Sequence, residues 1–288
     1  MMPLPNLLLP GQVGGFIMRE PQRKIMIKDT FNTVASGYDN RASRFFLESA
    51  KHLVTYLDLK GNESVLDVAT GTGYAALAIA ENMAHGHVTG IDFSVGMLAQ
   101  ARAKAVAANI HNASFMEMDM QALDFPQHHF DAAVCAFGIF FVEDMESQLK
   151  HIAHKVKPGG KIIFCGFYED AFLPIVELFF NRIQHYGVEK PPLSWKRIAT
   201  EDKAAELCYK AGFKDIRVER KDLGYYLQDA NEWWDIIWCA GFRGLVNQIE
   251  PQFMEKFKQE HLAEIQNLAT DKGIWLDVKV LYGIGIKP

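Results

Sequence analysis

The sequence has few cysteines, and none stands in a metal-binding or disulfide pattern. Cys135, Cys165, Cys208 and Cys239 lie far apart in apolar segments, with no CxxC pair and no histidine at ligand spacing. This pattern argues against a zinc site or a disulfide-stapled secreted domain, and we expect no metal. Free thiols are typical of a reducing compartment, so we expect a cytoplasmic protein.

Long apolar runs and long runs of one charge are also missing. Residues 172–180 are strongly apolar, but they fall well short of the ~18 residues that span a bilayer, so no integral membrane segment is expected. Residues 1–27 lack the basic start of a targeting peptide and are expected to form an N-terminal arm. The net charge is −5, and the sequence contains no run of basic residues. A nucleic-acid partner is therefore disfavoured, and a small-molecule substrate is favoured. A homodimer is a possible assembly.

From about residue 60, short β-branched runs alternate with helical patterns. This alternation predicts an α/β fold, a doubly wound and mostly parallel sheet with helices on both faces. Ser94 should cap one helix, and another should span 145–157 and stop at Pro158. The predicted strands are 64–69, 87–92, 113–119, 130–138, 161–167, 215–220 and 276–286.

The pattern after residue 168 differs from that of the sheet. Two mostly helical segments, at about 168–199 and 229–272, are rich in aromatic residues and too long for ordinary loops. We interpret 28–288 as one domain in which these segments are helical caps. Large aromatic side chains on such segments either pack as a core or line a cleft as a lid.

A glycine-rich turn joins the first predicted strand to the helix that follows it. Glycines in the stretch 71–73 let a ligand approach the backbone closely. Read with Ala76, and with Asp92 ending the second strand, the turn also fits a nicotinamide dinucleotide fingerprint. Asp67 favours S-adenosylmethionine instead, because a carboxylate can serve the ammonium of its methionine moiety and repels a pyrophosphate.

Further motifs follow the other strands in order. Asp119 and Met120 end the third strand, where they could face an adenine ring, and the stretch 136–138 ends the fourth. A Lys-Pro-Gly-Gly turn at 157–160 precedes the fifth. Together they favour S-adenosylmethionine as the cofactor.

These motifs carry a resemblance to a known family. The stretches VLDVATGTG, GIDFSVGML, MDMQALDFPQHHFD and VKPGGKIIF resemble the successive motifs of class I S-adenosylmethionine-dependent methyltransferases. The most similar family is that of the ubiquinone/menaquinone biosynthesis C-methyltransferases, whose F-x-x-V-A-x-x-Y-D pattern stands here at 31–39. The resemblance covers about 28–167, and it implies a Rossmann-like methyltransferase fold with an antiparallel C-terminal strand.

The resemblance also implies roles for particular residues. Asp92 would bind the ribose, Asp119 and Met120 would flank adenine, and Tyr38 could close over the methionine carboxylate. One departure concerns the acceptor: where the quinone enzymes carry polar and basic groups, residues 136–141 read AFGIFF, so a quinone precursor is not implied. The full implied cofactor set is Tyr38, Asp67, Gly71, Thr72, Gly73, Asp92, Phe93, Met97, Asp119, Met120 and Ala136.

No catalytic base is evident, and methyl transfer needs one only if the acceptor must lose a proton. His151 and His154 are expected to face solvent or to interact with the end of their helix. Candidate substrate contacts, each with a core-packing alternative, are Phe140, His185, Tyr186, Trp234 and Trp238. The predicted function is methyl transfer to a small, largely apolar acceptor. A nicotinamide-dependent oxidoreductase and a non-catalytic cofactor-binding assembly subunit are the alternatives.

Overall fold

The structure is a computed structural model that describes residues 20–288. By its internal contacts the chain divides into two compact units. The sheet unit comprises Phe45–Glu169, Trp195–Lys221 and Lys279–Pro288. The helical unit comprises Met1–Arg44, described from Glu20 onward, with Asp170–Ser194 and Asp222–Val278.

The strands of the described residues fall into two sheets. In chain order they are β1 (Ser64–Val68), β2 (His87–Asp92), β3 (Ala113–Glu117), β4 (Phe130–Ala136), β5 (Val156–Phe167), β6 (Lys214–Asp222), β7 (Tyr225–Leu227), β8 (Ile274–Leu276) and β9 (Lys279–Ile286). Seven of them form one sheet in the order β3-β2-β1-β4-β5-β9-β6, and β7 pairs with β8 in a second. The predicted seven-stranded sheet is therefore confirmed.

The strand directions indicate where a ligand site is expected. Strands β3, β2, β1, β4 and β5 pair in parallel, while β9 runs antiparallel to β5, as predicted. The chain winds outward from β1 to β2 on one side and continues through β4 on the other. A ligand crevice is expected outside the carboxyl ends of strands at such a switch point.

The helices of the sheet unit are α2 (Phe45–Leu57), α3 (Tyr74–Glu81), α4 (Val95–Ala107), α5 (Met145–Lys155) and α7 (Glu201–Lys210), while α6 belongs to the helical unit. Three of them, α4, α5 and α7, begin at a capping side chain. The Ser94 hydroxyl accepts a hydrogen bond from the backbone of Met97 at the start of α4, which confirms the predicted cap. Asp144 caps α5 and Thr200 caps α7 in the same way.

The helical unit has its own core. Its helices are α1 (Glu20–Tyr38), α6 (Ile175–His185), α8 (Ala230–Cys239), α9 (Arg243–Val246) and α10 (Met254–Gln266). The indole of Trp233 is fully buried and donates to His261 Nε2 at 2.9 Å, joining α8 to α10. Phe179 of α6 packs against the His261 ring at 5.6 Å between centroids. Among the described residues, no helix is long and apolar enough to cross a membrane.

Three predicted boundaries are wrong. α1 begins at Glu20, so the predicted arm ending at residue 27 overlaps a helix, and the rest of that arm lies outside the described residues. α5 ends at Lys155 because Val156 is already extended and pairs with Phe130, before the proline is reached. The predicted strand 276–286 is broken, because Leu276 pairs with Tyr225 in the second sheet.

Candidate functional site

The glycine-rich turn folds tightly between β1 and α3. Ala69, Gly71 and Gly73 all have positive φ, at 56°, 55° and 85°. A Cβ on Gly73 would lie 2.9 Å from the Cβ of Ala101, so this glycine lets the turn pack against α4. A Cβ on Gly71 would meet no atom within 4 Å. The turn is therefore packed behind Gly73 and has space beside Gly71.

Asp67 lies under this turn with none of its surface exposed. Its Oδ2 accepts from the Thr70 hydroxyl at 2.6 Å and from the Ala76 N–H at 3.0 Å, which ties the turn to the start of α3. Its Oδ1 has no hydrogen-bond partner in the described part of the chain. Burial, with a smaller effect from Asp92, raises the pKa of Asp67 to about 7.

Asp92 ends β2 and reaches the same turn. Its Oδ2 accepts from the Gly71 N–H at 2.9 Å, and its Oδ1 accepts from the Ser94 N–H at 2.8 Å. The residue is 8% exposed, and burial raises the pKa of its carboxyl although both backbone donors lower it. The structure thus brings Asp67, Asp92 and Gly71 together, as the sequence predicts.

The ends of β3 and β4 meet at this edge of the sheet. The Met118 N–H donates to the Asp92 carbonyl at 2.9 Å, so the loop after β3 starts beside Asp92. In that loop Asp119 accepts from the Gln121 N–H at 2.9 Å. A Cβ on Gly138, after β4, would lie 2.7 Å from the Ala69 Cβ and 3.6 Å from the Met120 Cε. The ends of β1, β2, β3 and β4 therefore converge, and the half-buried Ala136 closes β4 there.

The remaining cofactor candidates of the sheet unit have well-defined local surroundings. The Thr72 hydroxyl accepts from Lys104 Nζ at 3.3 Å, and that lysine also lies 3.6 Å from the centre of the Tyr74 ring. Met97 is buried at the start of α4, and Phe93 is half-buried. Lys104 was not predicted, because a lysine in the last turn of a helix usually points to solvent.

An aromatic cluster lies at the carboxyl ends of β4 and β5. The Phe137 ring is 4.7 Å from Phe167 and 5.1 Å from Phe46 of α2, between centroids. All three rings are half-buried, and Trp195 packs edge-on against Phe167 at 5.9 Å. Sequence reasoning missed Phe46 and Phe167 as site residues. Phe140, which it named, is buried against Phe141 at 4.9 Å.

One expectation about α5 is wrong. His151 does not only face solvent or the helix end: its Nε2 accepts a hydrogen bond from the Leu123 N–H at 3.1 Å. The loop after β3 supplies this donor, which the sequence pattern could not reveal.

Comparisons with known proteins identify the family of this chain. Residues 65–160 match the family model described as a methyltransferase domain. The demethylmenaquinone methyltransferase of Shouchella clausii is 30% identical over 212 residues, which cover 67% of this chain and 90% of that protein. The chain belongs to the class I S-adenosylmethionine-dependent methyltransferases. The cofactor of this methyltransferase is S-adenosylmethionine, and neither alternative function is favoured.

Two further comparisons concern one more relative and one solved structure. The aklanonic acid methyltransferase DauC of a Streptomyces species is 30% identical over 182 residues, or 62% of this chain and 83% of that protein. The crystal structure of the Bacillus subtilis protein YcgJ has a TM-score of 0.56 and 20% identity, covering 83% of this chain and 98% of that one. At 20% identity, this structural similarity shows only that the two proteins share a fold.

Five predicted residues of the methyltransferase belong to the helical unit, where their local contacts are defined. Tyr38 ends α1. His185 is exposed and bonds to the Asn181 carbonyl, while the Tyr186 hydroxyl donates to Glu260 at 2.8 Å. The rings of Trp234 and Trp238 stack at 5.7 Å, and Trp234 is only 8% exposed. Their roles toward cofactor or substrate stay predictions.

Proposed function

We propose that the methyltransferase holds S-adenosylmethionine with the strand-end residues of the sheet unit. Asp92 accepts from the ribose hydroxyls, Asp67 serves the methionine ammonium, and Asp119 and Met120 flank adenine. The proposal is supported by the shared position of these residues at one edge of the sheet and by the unpartnered Oδ1 of Asp67. The space beside Gly71 is where a ligand could approach the backbone.

The electrostatics of these residues fit this cofactor better than a dinucleotide. Asp67 and Asp92 are both buried, and each pKa is raised because burial penalises the charged form. A ligand that brings positive charge favours both ionised carboxylates, whereas a pyrophosphate would add repulsion. Bound S-adenosylmethionine supplies a methyl group on a positively charged sulfur.

For the acceptor, we propose a planar, largely apolar aromatic molecule. The observation that carries this proposal is the cluster of Phe46, Phe137 and Phe167 at the carboxyl ends of β4 and β5, next to the cofactor residues. Aromatic rings pack well against a flat ring system at offset or edge-on angles. By their names, two relatives act on demethylmenaquinone and on aklanonic acid. Both are 30% identical to this chain, so similarity does not choose between those acceptors.

The cluster would act by orientation and by excluding water. Phe137 has a φ of 54°, a left-handed conformation that disfavours a bulky side chain, and its N–H donates to the Cys165 carbonyl at 3.0 Å. Such strain is found where a side chain is held for function. Methyl transfer is an in-line displacement, so a fixed acceptor in a dry site supplies much of the rate.

The test is a panel of acceptors combined with variants of the cluster. Demethylated naphthoquinols and planar phenols should be methylated, and aliphatic amines and acids of similar size should not. Phe46→Ala and Phe137→Gly should raise the acceptor KM by about tenfold, the order expected for a lost aromatic contact. Glycine is chosen at 137 because it tolerates the backbone there.

Affinity for S-adenosylhomocysteine, measured by calorimetry, should change little in either variant. Tyr209→Ala is the control, since Tyr209 is an aromatic residue of α7 that is 76% exposed. Efficient methylation of an aliphatic acceptor, or an unchanged KM in both cluster variants, would contradict the proposal.

We also propose that the methyltransferase works in the cytoplasm on this small molecule, without a nucleic-acid partner. All four cysteines are free, and Cys135, Cys165 and Cys208 are buried, as suits a reducing compartment. A homodimer stays a prediction that sedimentation can test.

A further inference from the structure

One face of α5 holds the loop that follows β3. Gln148, His151 and Lys155 stand at positions i, i+3 and i+7, so their side chains share that face. Each binds one backbone group of the loop, in order along it. Gln148 Nε2 donates to the Met120 carbonyl at 2.7 Å, His151 Nε2 accepts from the Leu123 N–H at 3.1 Å, and Lys155 Nζ donates to the Phe125 carbonyl at 2.8 Å.

We propose that this face of α5 positions the loop 118–125 for adenine, with His151 as the pH-sensitive contact. The inference rests on the proposed placement of adenine beside Asp119 and Met120. The loop is tied to the sheet at its start, where the Met118 N–H donates to the Asp92 carbonyl. Beyond that point, the three α5 side chains fix its middle and its end.

The contact made by His151 depends on its protonation state. An imidazole nitrogen accepts a hydrogen bond only when it carries no proton, so the Leu123 N–H requires a neutral ring with the proton on Nδ1. Burial and the positive charges of Lys155 and His154 lower the pKa of His151. At neutral pH the bond is therefore intact, and acid breaks it.

Other charged groups lie on the elements that pack against α5. Several of these groups already have partners. Asp131 forms an ion pair with Lys157, Glu206 forms one with Lys210, and Asp119 accepts a hydrogen bond from the Gln121 N–H. The titratable groups of the loop, the segment after it, β4, β5 and α7 are Asp119, Asp124, His128, His129, Asp131, Cys135, Lys157, Lys161, Cys165, Glu201, Asp202, Lys203, Glu206, Cys208, Tyr209 and Lys210. The charges that shift the pKa of His151 are those of Lys155 and His154.

The experiment compares two variants of His151 with the wild type. His151→Gln keeps an acceptor that does not titrate, and His151→Phe removes the acceptor. The affinity for S-adenosylhomocysteine is measured by calorimetry at pH 8 and pH 5.5. Because Asp67 also titrates near this range, each variant is judged by its ratio to the wild type at the same pH.

At pH 8, His151→Phe should bind about three- to tenfold more weakly than the wild type, as expected for one lost hydrogen bond. As pH falls this difference should shrink, because the wild type loses the same bond when His151 takes up a proton. His151→Gln should match the wild type at pH 8 and bind more tightly than it in acid. His85→Gln, at an exposed position before β2, is the control and should follow the wild type at both values. If His151→Gln showed the wild-type pH dependence, the inference would be overturned.

Amide hydrogen exchange of the peptide 118–125, without ligand, separates this inference from the proposed cofactor site. Faster exchange in His151→Phe but not in His151→Gln supports the role of α5 in holding the loop. Unchanged exchange in both variants overturns the inference. Faster exchange with unchanged ligand affinity shows instead that adenine does not use this loop, which overturns its proposed place there.

Discussion

Asp67 shows how one buried carboxyl links cofactor binding to protons. With a pKa of about 7, raised by burial, it carries a proton over much of the range below neutrality. A cofactor with a positive ammonium near its Oδ1 favours the ionised form and lowers that pKa. Below pH 7, binding should therefore release a proton from this residue.

Calorimetry of S-adenosylmethionine binding at pH 6 in buffers of different ionisation enthalpy measures this release. The wild type should release a fraction approaching one proton from this site, and at pH 8.5 the contribution should disappear because Asp67 is already ionised. Asp67→Asn is expected to lose the effect while its side-chain oxygen still accepts from Thr70 and Ala76. Equal proton release by the variant and the wild type at pH 6 would rule out this role.

The residues that the sequence predicted at this site share one property. Asp67 and Asp92 stand at fixed places in strand-end motifs, so local pattern and topology determine where they lie. Phe46, Phe137 and Phe167 come from three separate elements and meet only through tertiary packing. The left-handed backbone of Phe137 has no local signal, since left-handed turns normally favour glycine or asparagine.

At the scale of elements, the two glycines of the β1 to α3 turn should respond differently to alanine. Gly73→Ala combines a φ of 85° with a Cβ 2.9 Å from the Ala101 Cβ, so it should lower the free energy of unfolding by about 2 to 4 kcal/mol. Gly71→Ala meets no atom, and its backbone strain should cost only about 1 to 2 kcal/mol.

For ligand affinity the order should be reversed, with the larger loss in Gly71→Ala. The methyl group of Gly71→Ala enters the space proposed for the cofactor, so affinity for S-adenosylhomocysteine should fall at least about tenfold, or ~1.4 kcal/mol. Urea unfolding and calorimetry measure the two effects. Wild-type affinity in Gly71→Ala would show that the cofactor does not approach this glycine.

Element boundaries show the limit of sequence patterns. The parallel strands β1 to β4 were predicted at nearly their observed positions, because buried strands between helices form short apolar runs. The boundary of α5 and β5 was misplaced, since pairing of Val156 with Phe130 ends the helix before Pro158. The sheet of β7 and β8 was missed because three-residue strands carry almost no periodic signal.

At the scale of the whole molecule, the helical unit should be weakened by acid through His261. This side chain is fully buried, accepts from the Trp233 indole, and has a pKa lowered to about 4 by burial and by Arg182. An unfolded chain binds this proton near pH 6.5. The folded state therefore loses stability as pH falls from about 6.5 to 4, by roughly 3 kcal/mol for a shift of this size.

His261→Gln keeps an oxygen for the indole N–H and does not titrate in this range. Hydrogen exchange of the α8 and α10 amides at pH 7 and pH 5 should show wild-type protection falling more steeply than that of the variant, after correction for intrinsic rates. If protection fell equally steeply with pH in the two proteins, His261 would not be the source of the acid sensitivity.

The position of β9 determines when the protein can fold during synthesis. This strand comprises residues 279–286, yet it lies between β5 and β6 in the sheet. On the ribosome, β6 is made long before β9, and it lacks its neighbour in the sheet until β9 has left the exit tunnel. The nascent chain can thus pair β1 to β5 early. The sheet is complete only after translation has passed residue 286, and until then the unpaired edge of β5 is exposed to non-native strand pairing.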